Sequence, residues 1–275
     1  MDRIASFEQY SDVLAWAKAE GYRLSNCFFL PAAVRQKIAE ETLYFHPIDK
    51  GLLILDDRAS FYRCYYFLPS DGEPRPIRLP KPSVIEFPFN DTLNEGQKLQ
   101  LHLIKAMGFQ LGRESGMMSS VPGQLADTNG IDPAKNLCRT AGPEDADRIV
   151  ALLNRCFDPL YAFLPAEAEL CKLIDKGCVW VVREDTAVAA ALVCEFDKGV
   201  ASIRQVAVEA SRRGNGLGAA LIRAYHDRYR NEAKRFQHWV DLHNEPAVRM
   251  YQKYGYTFTV RKAYEYLLTE KERES

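Results

Sequence analysis

The chain has 275 residues, 47% hydrophobic and 27% charged, with a formal net charge of -1 at pH 7. That composition suits a globular chain of one large or two ordinary domains. The missing basic excess excludes a broad nucleic-acid-binding face. Seven cysteines (Cys27, Cys64, Cys138, Cys156, Cys171, Cys178 and Cys194) are scattered with no C-x-x-C pair. They read as small buried hydrophobes, not as a disulfide framework or zinc site, and point to a reducing, cytoplasmic setting. No apolar run approaches the ~20 residues needed to span a bilayer, and the first residues lack a signal peptide's apolar core. A cytoplasmic protein with no membrane partner is expected.

In chain order, Tyr10, Val13, Leu14 and Ala17 form a helical stripe that Gly21 ends, and Pro31 opens a second helix. Strand signals follow at 43–46, 51–55 and 61–68, the last two separated by a hairpin turn at Asp56-Asp57-Arg58. The proline-rich stretch 69–82 reads as loop. Residues 83–89 predict a strand, 93–107 a helix, and the run around Phe109 another strand. From 116 the composition shifts to Gly, Ser, Pro, Asn and Asp. This predicts an N-terminal domain at 1–120, a linker at 121–136 and a second domain at 137–270.

The second half restarts with a strand at 137–140 and a helix start at Gly142-Pro143-Glu144-Asp145. Ile149, Leu152, Leu153 and Cys156 supply that helix with a buried stripe, and a second helix is predicted at 165–176. Segments 179–182, 187–196 and 200–208 read as a three-strand meander. A glycine-rich turn and its helix follow, then a strand at 236–243, a helix at 245–254 and a strand at 256–268. The layout of 51–68 parallels that of 178–194, which predicts an internal duplication.

The turn carries the chemistry. Ser211-Arg212-Arg213-Gly214-Asn215-Gly216-Leu217-Gly218 stands between a strand and a helix. Free N–H groups and the positive helix end there suit a diphosphate, and glycines let the backbone approach it. A Rossmann turn needs G-x-G-x-x-G, but position 219 is alanine; a P-loop needs G-K-S/T, which is absent. Both also need a βαβ unit, whereas the preceding strands form a meander.

The remaining pattern, Arg213-x-x-Gly216-x-Gly218 after Val206-Ala207-Val208, resembles the phosphate turn Gln/Arg-x-x-Gly-x-Gly/Ala of the GNAT superfamily of N-acyltransferases. The stretch from Asn244 through Ala247 and Tyr251 to Gly255-Tyr256 is similar to that family's second block. The resemblance covers about 137–268 and implies an α+β (mixed α/β) GNAT fold. Its central sheet is mixed and mostly antiparallel, with helices on its faces. The N-terminal half is expected to be a second α/β domain, a degenerate GNAT-like copy without the turn.

The resemblance implies acetyl-CoA as cosubstrate, with its pyrophosphate held by Arg213, Gly214, Asn215, Gly216, Leu217, Gly218 and Ala219. Val206, Ala207 and Val208 would pair with the pantetheine arm and thioester carbonyl, next to Asn244 and Ala247. Tyr251 would protonate the departing thiolate. Asn244, Ala247 and Tyr251 share one helix face by spacing, with Asn244 as the cap. The expected reaction is direct transfer of acetyl to a small-molecule or peptide amine, without metal and without nucleic acid, in a monomer or homodimer. Glu195, Asp241 and His243 are candidate bases, with Asp241 and His243 on one strand face by alternation, and the choice stays open. His46, His102, His226 and His238 read as isolated, Arg212 as a phosphate ligand or a solvated charge, and Cys194 as a nucleophile without a base. In the N-terminal half, 90–96 stands in the turn's place with two acids that would repel a diphosphate. The rival readings are a non-catalytic acyl-CoA-binding or regulatory module, which would need no Tyr251, and a scaffold without CoA affinity.

Overall fold

The computed structural model describes residues 1–125, 138–184 and 187–269, so most of the expected linker lies outside them. Two compact units emerge: Met1–Glu114 together with the chain from Arg261, and Ser115–Val260. This division differs from 1–120 and 137–270, because two long strands run from one unit into the other. Strand β7 (Gln110–Ser120) leaves the first unit, and β13 (Thr257–Leu268) returns to it.

The first unit contains β1 (Asp2–Arg3), α1 (Phe7–Ala19), β2 (Leu24–Ser25), α2 (Pro31–Ala39), β3 (Leu43–Ile48), β4 (Gly51–Asp57), β5 (Tyr62–Leu68), β6 (Ser83–Asn90) and α3 (Glu95–Ala106). Its sheet runs β1-β3-β4-β5-β6-β13. The partners are antiparallel except β5 and β6, which are parallel. Leu52 and Ile54 pack with Tyr10, Val13 and Val34 of α1 and α2. Leu53 and Leu55 pack with Leu101 and Ile104 of α3. Period-two alternation on a strand buried on both faces explains this split. Ser6 caps α1 by accepting from Gln9 N, and an Asn94–Gln97 capping box opens α3.

The second unit contains β8 (Cys138–Thr140), α4 (Ala146–Cys156), α5 (Glu167–Asp175), β9 (Val179–Glu184), β10 (Ala187–Asp197), β11 (Val200–Val208), α6 (Leu217–Tyr229), β12 (Arg235–Asp241) and α7 (Glu245–Lys253). Its sheet runs β7-β12-β11-β10-β9-β8, antiparallel except β11 with β12. The parallel pair needs a crossover, and α6 provides it. At the start of the unit, Asp145 is fully buried and binds Gly142 N, Arg139 Nη2 and Arg183 Nε at 2.7–2.9 Å. These contacts outweigh the burial that would otherwise raise its carboxyl, and hold it below the usual carboxylate range.

Both units share a series of elements (strand, two helices, a three-strand meander, a parallel strand and a helix), to which the first adds β2 between its helices and the second adds α6 before its parallel strand. In this series β4 and β5 correspond to β10 and β11, so 51–68 does not pair off with 178–194 as expected. Among the described residues no helix is long and apolar enough to cross a membrane.

Candidate functional site

The site starts from a failure of strand pairing. β11 and β12 pair from Val200↔Arg235 to Ile203↔His238 and no further, although β11 runs on to Val208 and β12 to Asp241. On its other edge β11 stays paired with β10 as far as Val208↔Ala190, with a register break where Arg204 is the extra residue. Such a bulge bends and twists its strand, and here the two parallel strands part into a gap. Glu209 N donates to Ala189 O at 2.9 Å. Alternation then directs Ala207 toward β10 and points the N–H and C=O of Val206 and Val208 across the gap.

The glycine turn stands at the end of β11. Gly214 and Gly216 have φ of 84° and 76°, left-handed backbone that favours glycine. Among the described residues the N–H groups of Gly214 to Ala219 make no hydrogen bond. The first in this stretch runs from Ala220 N to Gly216 O, at 2.9 Å. Gly216 is the N-cap of α6 and brings no capping side chain. Unpaired donors and the positive end of α6 therefore coincide, which suits an anionic group.

The arginines beside this turn play other parts. Arg213 Nε donates to Val208 O at 3.3 Å and closes the turn, with the side chain otherwise exposed. Arg212 pairs with Glu184 at 2.5 Å, and Arg155 with Glu209 at 2.7 Å. The bond from Arg155 holds the Glu209 carboxyl below its ordinary range.

The Asn244 to Tyr256 block docks onto this turn. A Cβ added at Gly218 would lie 3.6 Å from Met250 Sδ and 3.7 Å from Val208 Cγ2, so α6, α7 and β11 meet there. Tyr254 Oη donates to Ala219 O at 3.1 Å. Asn244 caps α7 by accepting from Ala247 N at 3.2 Å, as its spacing predicts. Tyr251 is buried, and burial raises its phenol so that it keeps its proton. Against it lies His238, with ring centroids 3.5 Å apart and planes tilted by 33°. His238 is the last β12 residue paired with β11, so this contact marks the root of the gap. Among the described residues neither of its ring nitrogens has a hydrogen-bond partner. Burial, then nearby His226, lowers its pKa to about 3, so the ring is neutral. Sequence reading missed it; alternation with Phe236 and Val240 on a core-facing strand was the available signal.

Other expectations change. His243 lies past the end of β12, in a turn where its N–H donates to Asp241 Oδ1 at 2.8 Å. The two therefore do not share a strand face. Glu195 Oε1 accepts from Arg204 Nη1 at 2.9 Å. Cys194 is fully buried, and its hydrogen bond with Cys178, then burial, push its thiol up, the opposite of an activated nucleophile.

The first unit has a gap in the corresponding place, and its own chain fills it. β5 and β6 pair only at Tyr62↔Ser83 and Arg63↔Val84. Beyond that, β2 pairs with β5 through Leu24↔Leu68 and Ser25↔Phe67. The Asn26 amide then spans the strands, accepting from Tyr66 N at 2.8 Å and donating to Glu86 O at 3.1 Å. The loop 69–82, not 90–96, occupies the turn's place, and no helix follows it.

Residues 146–256 match the family model of the acetyltransferase (GNAT) family. No curated protein matches the chain. Among solved structures, the chain is similar to a GCN5-related N-acetyltransferase from Sphaerobacter thermophilus, with 13% identity and a TM-score of 0.52 over 93% of this chain and 90% of that one. A GNAT-family acetyltransferase from Colwellia psychrerythraea gives 14% identity and 0.50 over 98% and 99%. A tandem GNAT protein from the clavulanic acid biosynthesis pathway gives 11% and 0.50 over 99% of each chain. The matched stretch holds the gap, the glycine turn and Tyr251, and the likeness to these three structures extends the fold over both units.

Proposed function

We propose that the C-terminal unit transfers the acetyl group of acetyl-CoA directly to an amine, without a covalent enzyme intermediate. The observation that carries this reading is the gap between β11 and β12, with unpaired N–H groups at its end and Tyr251 at its root. The N–H groups of Gly214 to Ala219 would hold the diphosphate, with help from the exposed Nη groups of Arg213. The edge groups of Val206 and Val208 would pair with the pantetheine amides and the thioester carbonyl. A backbone donor there stabilises the oxyanion as the amine nitrogen bonds to the acetyl carbon. The C–S bond then breaks, the Tyr251 hydroxyl gives its proton to the departing sulfur, and the proton shed by the amine nitrogen passes through water and restores the phenol.

The first unit supports a single site per chain, because Leu24 to Asn26 occupy the equivalent gap. The rival reading is an acyl-CoA-binding module without turnover. Calorimetry with CoA, together with acetyl-CoA turnover on a panel of amines, separates the two. Binding with release of CoA only when an amine is present supports the enzyme; tight binding without turnover on any acceptor establishes the module. No CoA binding at all would overturn both.

A further inference from the structure

The bulge in β11 has a second consequence. Arg204 Nη2 and Gln205 Nε2 both donate to the carbonyl oxygen of Phe163, between α4 and α5, at 3.1 and 2.8 Å. A carbonyl only accepts, so the amide nitrogen of Gln205 is fixed toward Phe163 and its oxygen is left over. That Oε1 is buried with no partner among the described residues, on a residue only 5% exposed. Buried polar atoms are ordinarily paired, and an orphaned acceptor beside a site calls for a donor from outside the chain. Gln205 directly precedes Val206, whose backbone faces the gap. Arg204 Nη1 also gathers Glu169 Oε1 at 2.5 Å and Glu195 Oε1 at 2.9 Å, both on half-exposed side chains. Two carboxylates against one guanidinium leave this cluster with a net negative charge.

We propose that Gln205 Oε1, backed by Glu195 and Glu169, receives the acceptor amine. The acceptor class that fits is a primary amine with no carboxylate on the adjacent carbon. This inference rests on the acetyl-transfer reading. An N–H of the amine supplies the missing donor to Oε1, and the cluster attracts the ammonium form before it loses its proton. A carboxylate beside the nitrogen would instead face Glu169 and Glu195.

The test is calorimetry on the full chain loaded with CoA, so that no turnover is needed. The probes are 2-phenylethylamine and tyramine against phenylalanine and tyrosine. Both amines should bind at least tenfold more tightly than the amino acids. Gln205→Leu should weaken amine binding at least tenfold, and Glu195→Gln several-fold, with CoA affinity unchanged within twofold. Gln205→Glu separates the acceptor role from the tether to Phe163, since it keeps an acceptor oxygen but loses the donor. It should bind amine as well as the natural chain. Amine binding by Gln205→Glu as weak as by Gln205→Leu would assign the residue to the tether and overturn the proposal. So would equal binding of amines and amino acids, or no amine binding while CoA binds. Failure to bind CoA would instead overturn the acetyl-transfer reading on which it rests.

Discussion

The His238 imidazole lies against the Tyr251 ring, centroids 3.5 Å apart, where β11 and β12 part. The contact holds the phenol at the root of the gap without a hydrogen bond from His238 to compete for its hydroxyl. A packed ring whose hydroxyl makes no hydrogen bond among the described residues suits a proton donor better than a purely structural tyrosine.

Tyr251→Phe keeps that packing and removes the proton. Turnover of acetyl-CoA with a good acceptor should fall by about 10²-fold, the lower range for a general acid. CoA affinity by calorimetry should stay within twofold. Unchanged turnover would remove Tyr251 from the mechanism. His238→Phe should leave the fold as stable or stabilise it by about 1 kcal/mol in urea denaturation, because two unpaired buried nitrogens disappear.

Acid should destabilise the chain through two buried histidines. His238, through burial and His226, and His226, through burial and Arg230, titrate at about 3 in the folded state. The unfolded value is near 6.5. The unfolded chain therefore binds more protons between these values, so stability is full above about pH 6.5 and falls as pH drops toward 3. Each histidine contributes a slope of up to about 1.4 kcal/mol per pH unit in that window. Urea midpoints at pH 7 and pH 5 read the loss, and His238→Phe should remove roughly half of this histidine contribution.

The two glycines of the turn should respond differently to alanine. Gly216 has φ of 76°, where a Cβ costs roughly 1–2 kcal/mol. Gly216→Ala should weaken CoA binding about tenfold by distorting the donors. Gly218 lies in the helix with room for a Cβ at ordinary contact distances, 3.6 and 3.7 Å. Gly218→Ala should bind CoA within about threefold of the natural chain. Calorimetry on both variants decides, and equal losses would mean that backbone conformation is not what Gly216 contributes.

The chain should bind CoA with a stoichiometry of one. Asn26→Ala would leave Tyr66 N–H and Glu86 C=O without their partner, at about 2 kcal/mol of stability. The KM for acetyl-CoA should not change. A second CoA bound by the natural chain would contradict the filled gap.

Much of the second unit was legible because its signals are local. The alternation of 179–208, the Pro143 helix start, the Gly216 turn and the Asn244 cap each depend on neighbours within a few residues. The two blocks in order were enough for the family resemblance. The elements of the first unit were legible too, but their correspondence with the second was read one strand out of step. Hairpins with similar alternation look alike until the parallel strand identifies them. The boundary between the units was not legible, since a continuous strand pattern carries no mark of where within β7 and β13 one unit ends.

By itself, then, the sequence determined where the unpaired N–H groups of the turn lie, because left-handed glycines at a helix start act through the local backbone. Tertiary structure alone decided that β11 and β12 part beyond Ile203 and His238, that His238 packs on Tyr251, and that Asn26 fills the other gap. Those relationships join residues far apart in the chain, and pairing across a sheet has no sequence periodicity of its own.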